Sequence, residues 1–245
     1  MGRVAALIYG LVCYVMFLGV YLYAIGFMGN FVVPKAIDSG ADGPLGQAIL
    51  INLLLLGVFA IPHSVMARPT FKRWWTKMVP EPVERSTYVL VSNLALILLF
   101  WQWRPMGGVI WDVENSIGRT ILWGLFGLGW LLVLLSTLQI NHLDLFGMRQ
   151  VWLYFRGKPY TPVKLVTPVF YKHVRHPLYV GWITAFWATP TMTAAHLVFA
   201  VCTTVYILIA IQLEERNLVE FHGEGYVAYR KRTPMLIPRP WRRSE

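Results

Sequence analysis

The chain has little cysteine and little charge for its length. It contains two cysteines in 245 residues, Cys13 and Cys202, and both lie in apolar runs, where they behave as small buried side chains and not as a disulfide or metal pair. Neither a Cys/His metal spacing nor a glycine-rich nucleotide fingerprint occurs, so the sequence supports no metal centre and no dinucleotide enzyme. Charged residues make up 14% of the chain, whereas a soluble domain carries about 25%.

Apolar residues dominate instead and indicate an integral membrane protein. They make up 56% of the chain, and strand-type alternation is absent, so helices are the expected membrane spans. The first apolar run is too long for a signal peptide and lacks a cleavage motif, which predicts a retained helix. Since about 20 apolar residues cross a bilayer, spans are predicted near 5–29, 45–67, 86–103 and 118–140, followed by a last apolar stretch at 178–213.

The formal net charge of +10 is best explained by the membrane. Basic residues concentrate in the loops 68–85 and 141–175 and in the tail after 215. The positive-inside rule therefore places these segments and both termini in the cytoplasm, where basic side chains contact anionic lipid and not nucleic acid.

The last apolar stretch is predicted to fold back on itself. As one helix it would extend roughly 54 Å, and Pro190 breaks it near its early middle. Two helices, near 178–189 and 192–215, then form a helical hairpin. The predicted fold is all-α, with about five to six transmembrane helices and a cytoplasmic cofactor pocket. Residues 1–140 form a four-span bundle, and 141–245 supply the loop, hairpin and tail of one integrated domain.

Two charged clusters flank this hairpin, namely the Arg-His-Pro-Leu-Tyr-Val-Gly run at 175–181 and the Glu214-Glu215 pair. Charges beside a bilayer are costly, which makes them functional candidates, and the start of a helix attracts carboxylates. The alternative for the first cluster is a cap at the membrane edge. The glutamates could merely pair with Arg216 or Lys231.

These two clusters, with Tyr226 and Tyr229 beyond them, resemble the cofactor region of the isoprenylcysteine carboxyl methyltransferases over roughly the last 85 residues. Those membrane enzymes use S-adenosyl-L-methionine. The resemblance implies that the following residues bind this cofactor: Val163, Lys164, Leu165, Val166, Tyr171, His176, Pro177, Leu178, Tyr179 and Glu214. Two positions depart from that family. Val163 replaces a histidine, and Ala210 replaces the arginine that serves a prenylcysteine substrate, which argues against such a substrate.

A closer resemblance covers nearly the whole chain. Its motifs are His63-Ser64-Val65-Met66-Ala67-Arg68, Glu84-Arg85-Ser86-Thr87-Tyr88, 140–147, 149–152 and 186–192. They are similar to the bacterial methanethiol S-methyltransferases, which make dimethyl sulfide from methanethiol and S-adenosyl-L-methionine. This resemblance implies a thiol methyltransferase of the bacterial inner membrane, with a small thiol as substrate and the bilayer as partner.

The reacting species of a thiol is the thiolate, so the site needs a base or positive charge beside it. Polar residues at membrane edges are the candidates, and we expect His142, Asp144 and Arg85 to be catalytic. His142 and Asp144 could instead cap the fourth span, while His63 is more simply a satisfied interfacial histidine. The further polar candidates are Arg68, Tyr88 and Asn141.

Two other functions remain open from the sequence. The first is methylation of a lipid or prenylcysteine-like substrate. The second is a membrane protein on the same scaffold that is non-catalytic or catalyses another reaction, such as a denitrification accessory protein or a reductase.

Overall fold

The computed structural model describes residues 1–163 and 166–238. Lys164, Leu165 and the tail arginines Arg239, Arg242 and Arg243 lie outside the described residues. Within the described chain, five helices are long and apolar enough to cross a membrane, which confirms the predicted all-α membrane fold. In chain order the elements are α1 Arg3–Gly29, α2 Leu45–Met66, α3 Pro69–Trp75, α4 Glu81–Gln102, β1 Val109–Asp112, α5 Ser116–Ile140, α6 His142–Leu145, α7 Met148–Phe155, α8 Val169–His173, α9 Pro177–Trp187, β2 Thr191–Thr193, α10 Ala194–His222 and α11 Glu224–Arg232.

The start of α4 is the clearest difference from the predicted spans. The helix begins at Glu81 and not near 86, so Arg85 lies inside a helix. Pro82 is tolerated in a first turn, where its missing N–H would have no partner in any case. Glu81 and Glu84 place negative charge at the positive end of the helix dipole. The other three predicted spans agree with α1, α2 and α5 to within two residues at each end.

The chain divides into two compact units. Unit 1 comprises Met1–Trp111, His142–Pro162 and Met192–Val198, and unit 2 comprises Asp112–Asn141, Val163–Thr191 and the chain from Phe199 onward. In unit 1, α1 packs against α4 and α7, and α2 packs against α4. In unit 2, α5 packs along α9.

Two glycines allow α5 and α9 to approach closely in unit 2. A Cβ added at Gly129 would lie 2.6 Å from the backbone nitrogen of Ala185, and one added at Gly181 would lie 2.8 Å from the carbonyl oxygen of Gly129. Small residues at such crossings let membrane helices associate through backbone contact. The start of α9 is therefore held against a long helix.

The last apolar stretch does turn back on itself, with unequal arms. The first arm, α9, has 11 residues and the second, α10, has 29. Trp187 Nε1, at the end of α9, donates to Thr204 Oγ1 at 2.9 Å. Since α9 is only about 16 Å long, it is too short to cross a hydrocarbon core of about 30 Å. It lies beside the middle of α10, between Thr204 and Glu215.

A small sheet was not predicted. β1 pairs with β2, which follows directly after Pro190. Proline cannot continue the helix, so the chain leaves α9 in an extended form before α10 begins. The predicted break between the two arms is confirmed.

Candidate active site

The two charged clusters meet in unit 2. Glu215 Oε1 accepts a hydrogen bond from Arg175 Nε at 2.7 Å and lies 3.0 Å from His176 Nε2. The side chains of Glu215 and His176 are 7% and 5% exposed. A buried carboxylate requires such partners, because leaving it unpaired would be strongly unfavourable. The pairing of Glu215 with Arg216 or Lys231 that the sequence left open is not the one observed.

Glu214 has a different environment from its neighbour. Its Oε2 accepts a hydrogen bond from the Tyr179 hydroxyl at 2.9 Å and lies 4.0 Å from His176 Nδ1. Its side chain is 46% exposed. Glu215 is thus locked inside the fold, whereas Glu214 presents a carboxylate to the surface beside a buried histidine and a tyrosine.

The segment after α11 is fixed against the Arg175-His176 turn. The backbone nitrogens of these two residues donate to Pro234 O at 2.8 Å and Met235 O at 3.2 Å. Arg175 Nη1 also donates to Thr233 O at 2.6 Å and to Arg230 O at 3.1 Å. One guanidinium therefore joins three parts of the chain: the start of α9, α10 and the segment after α11.

Two tyrosines support this turn from α8 and α11. The Tyr229 hydroxyl donates to Tyr171 O at 2.6 Å, and the Tyr171 hydroxyl donates to Ser136 O at 3.5 Å. Burial raises the pKa of Tyr229 to about 12 and also raises the pKa of Tyr171. Both phenols therefore stay protonated at neutral pH and act as hydrogen-bond donors.

The remaining cofactor candidates differ in how accessible they are. Val166 is 48% exposed, whereas Pro177 is fully buried and has a packing role in this structure. Val163 and Leu178 are half-buried. An apolar cavity of about 160 Å³ lies beside Pro177, between α5, α8 and α9 and against Leu236. Ligand pockets usually enclose about 300–1,000 Å³, so this cavity is smaller than a usual ligand pocket.

The three catalytic candidates all lie in unit 1. His142 is buried, and its Nε2 lies 2.9 Å from the Tyr14 hydroxyl. Its ring packs against Phe17 and Phe146. Burial lowers the pKa of His142, so the imidazole is neutral at pH 7 and able to accept a proton.

Asp144 and Arg85 lie around the same short helix α6. Asp144 Oδ1 accepts from Arg149 Nη1 at 2.9 Å, and its Oδ2 accepts from the Tyr160 hydroxyl at 3.3 Å. Arg85 Nε donates to Leu145 O at 2.8 Å, and its guanidinium lies 4.9 Å from the ring centre of Tyr88. The structure thus brings all three candidates together in unit 1, while the described cofactor candidates lie in unit 2.

His63 is hydrogen-bonded within unit 1. Its Nε2 lies 2.9 Å from the Tyr88 hydroxyl, and its Nδ1 lies 3.0 Å from Ser92 Oγ. It also stacks on Phe59. These contacts agree with its interpretation as a satisfied interfacial histidine.

Comparison with known proteins gives the family. The model of the NnrU protein family matches residues 50–237. A methanethiol S-methyltransferase from Crocosphaera subtropica is 58% identical over 97% of this chain and 93% of its own length. One from Mycobacterium tuberculosis is 54% identical over 100% of both chains. The chain therefore belongs to the NnrU protein family and to the methanethiol S-methyltransferases.

More distant relatives also match. Nurim from Mus musculus is 30% identical over 72% of this chain and 70% of its own length. No solved structure gives a significant match.

Sequence reasoning assigned no role to several residues that hold the site. Tyr14 lies in the middle of an apolar helix, and nothing in its spacing connects it with His142, which is 128 residues away. Arg149 and Tyr160 could be found only as polar residues near Asp144. Arg175 and Glu215 belonged to the recognised motifs, but their mutual pairing appears only in the structure.

Proposed function

We propose that the chain catalyses the S-adenosyl-L-methionine-dependent methylation of methanethiol to dimethyl sulfide. The observation that carries this is the exposed Glu214 carboxylate, held by Tyr179 beside His176 at the start of α9. Three of the residues that the methyltransferase resemblance implicates, His176, Tyr179 and Glu214, are neighbours there, which supports the proposal. Relatives that carry the name methanethiol S-methyltransferase match nearly the whole chain.

The described residues fit the proposed cofactor. S-adenosyl-L-methionine carries hydroxyl and ammonium groups that can donate hydrogen bonds to a carboxylate such as Glu214. It also carries an amino-acid carboxylate, which the N-terminus of a helix binds favourably. Glu215 does not compete for these groups, because its carboxylate is already paired with Arg175 and His176. The cofactor supplies an electrophilic methyl group on a sulfonium.

The proposed reaction is a displacement at carbon. The methanethiol sulfur forms a bond to the methyl carbon while the bond from that carbon to the sulfonium sulfur breaks. The products are dimethyl sulfide, S-adenosylhomocysteine and the proton that the thiol releases. Because the thiolate is the nucleophile, a neutral base at the thiol would accelerate the step.

His142 is our candidate for that base, since its imidazole is neutral at pH 7 and Tyr14 orients its ring. Asp144 is held by Arg149 and Tyr160 and would shape the loop that presents His142. Arg85, which fixes the carbonyl of Leu145, would add positive charge that favours thiolate.

The proposed setting is the bacterial inner membrane, with both termini in the cytoplasm, so that α9 and the extended chain up to β2 together make one further crossing before α10. The distribution of basic residues supports this topology, and cytoplasmic S-adenosyl-L-methionine would then reach Glu214. Methanethiol is small and apolar and can arrive through the bilayer.

The test uses purified protein in lipid, methyl-labelled S-adenosyl-L-methionine and a panel of thiols that includes a prenylcysteine. We expect labelled dimethyl sulfide in the gas phase from methanethiol and little transfer to the prenylcysteine, because Ala210 stands where prenylcysteine enzymes have arginine. Methylation of the prenylcysteine alone, or of no thiol, would reject the proposal.

A binding measurement separates the cofactor assignment from turnover. Glu214→Ala should weaken S-adenosyl-L-methionine binding in calorimetry. Glu220→Ala on the same exposed part of α10 is the matched control and should bind as the unaltered protein does. Equal affinity in both variants would remove Glu214 from the site.

A further inference from the structure

A second cavity lies in unit 1, along the later halves of α1 and α4. It encloses about 560 Å³, which is within the usual range for ligand pockets. Most of its lining is apolar: Met16, Gly19, Val20, Ile97, Phe100 and Trp101. Ile97 and Trp101 are 41% and 68% exposed, so the cavity is a groove that opens sideways between two helices able to span a membrane.

One end of this groove carries positive charge. Lys35 lines the groove and donates from its ammonium group to Trp101 O. Arg104 follows closely after α4, where its backbone is fixed by Asn52 through hydrogen bonds of 2.8 and 2.9 Å. Burial, and after it the positive charge of Arg104, lowers the pKa of Lys35. An anion at this end would relieve the repulsion between the two cations.

No carboxylate within the described part of the chain forms an ion pair with Lys35 or Arg104. Asp38, in the same loop as Lys35, is bonded elsewhere. Its carboxylate accepts from Asn30 Nδ2 at 2.6 Å and from Thr193 Oγ1 at 2.5 Å. Neither cation therefore has an ion-pair partner within the described fold.

We propose that this groove binds one anionic phospholipid, with its phosphate at Lys35 and Arg104 and an acyl chain along α1 and α4. The apolar walls match a hydrocarbon chain, and the two cations match a headgroup with net negative charge. The groove is distinct from the Glu214 site, which lies in unit 2. The proposed lipid has no part in the chemistry of methyl transfer.

The test measures lipid binding to the delipidated full-length protein by native mass spectrometry. Dioleoyl phosphatidylglycerol and dioleoyl phosphatidylcholine have the same acyl chains and differ in headgroup charge. We expect phosphatidylglycerol to bind more tightly. Lys35→Gln should weaken its binding roughly five-fold, because a basic residue near an anionic lipid contributes about 1 kcal/mol. Lys158→Gln removes the same charge from an exposed position outside the groove and should weaken phosphatidylglycerol binding much less than Lys35→Gln does.

A second pair of variants tests the groove itself. Gly19 lines the groove, and a Cβ added there meets no atom within 4 Å. Gly19→Leu therefore adds bulk to the groove and should weaken binding of both lipids. Gly57→Leu, at an equally open position on α2, is the control. Equal binding of the two lipids, or unchanged binding in Gly19→Leu protein of normal melting temperature, would overturn the proposal.

Discussion

Replacing Glu215 with glutamine tests the ion pair that joins the two motif clusters. The change keeps the shape of the side chain and removes its charge. Arg175, whose side chain is 10% exposed, would then be left inside the fold without its carboxylate. Because Arg175 also holds Thr233 and Arg230, the damage should spread to the segment after α11.

The size of the effect follows from burial. Removing one partner of a buried ion pair costs about 3–5 kcal/mol. The glutamine oxygen can still accept one of the two hydrogen bonds that Glu215 accepts, so we expect the lower limit, about 3 kcal/mol. For a chain of this size that corresponds to a fall in melting temperature of roughly 6–12 °C.

Three measurements check this expectation. The melting temperature should fall, amide exchange should rise at 224–236, and S-adenosyl-L-methionine should bind more weakly because His176 loses its orienting carboxylate. A double-mutant cycle with Arg175→Gln isolates the pair. The double variant should lose less free energy of unfolding than the two single variants lose together. The difference should be about 1 kcal/mol or more, as is usual for residues in direct contact.

Glu220→Gln is the matched control, since it makes the same chemical change five residues along the same helix at an exposed position. Its melting temperature should remain within about 1 °C of the starting protein, as for most surface substitutions. If Glu215→Gln melts at the same temperature as this control, or if the cycle shows no coupling, the ion pair does not hold the site.

Three further predictions follow from the packing and the pKa shift. Gly181→Leu would force its side chain into the backbone of α5 and should destabilise the fold by about 1–3 kcal/mol. A Cβ added at Gly124 meets no atom within 4 Å, so Gly124→Leu should keep the normal melting temperature. Equal melting temperatures of the two variants would refute the close approach of α5 and α9. Gly147 has φ +85°, so Gly147→Ala should cost about 1–3 kcal/mol, and an unchanged melting temperature would contradict this. Burial lowers the pKa of His142, and the neutral imidazole is the base, so kcat/KM should fall as the pH drops through a value below 6.5. His142→Gln should abolish this acidic fall in kcat/KM. An unaltered pH profile in the variant would exclude His142 as the base.

The membrane helices could be predicted because length and apolarity alone define them. About 20 apolar residues are required whatever the rest of the fold does, and α1, α2 and α5 begin and end close to the predicted residues. The start of α4 was missed, since Glu81 and Glu84 look like loop residues in a hydropathy profile. Their helical role comes from the dipole, which that profile does not contain.

The motif clusters were recognised from the sequence, but the two glutamates could not be told apart in physical terms. They are adjacent in sequence and chemically identical. On a helix, consecutive residues point about 100° apart, so one faces Arg175 and the other faces outward. Only the side on which α9 packs decides which glutamate is buried. For the same reason the partners of His142 and Asp144 were not predictable, because they come from α1 and from the far end of the following loop.

The meeting of the two clusters depends on the unequal arms of the hairpin. From His176 to Trp187 and from Thr204 to Glu215 the chain advances by eleven residues in each case. Both segments are helical and rise at the same rate per residue. The hydrogen bond from Trp187 to Thr204 at one end therefore places His176 level with Glu215 at the other. A full-length helical first arm would have put the histidine beside a different turn of α10. The break at Pro190, which looks like an interruption of a membrane helix, is thus what aligns the histidine and glutamate clusters.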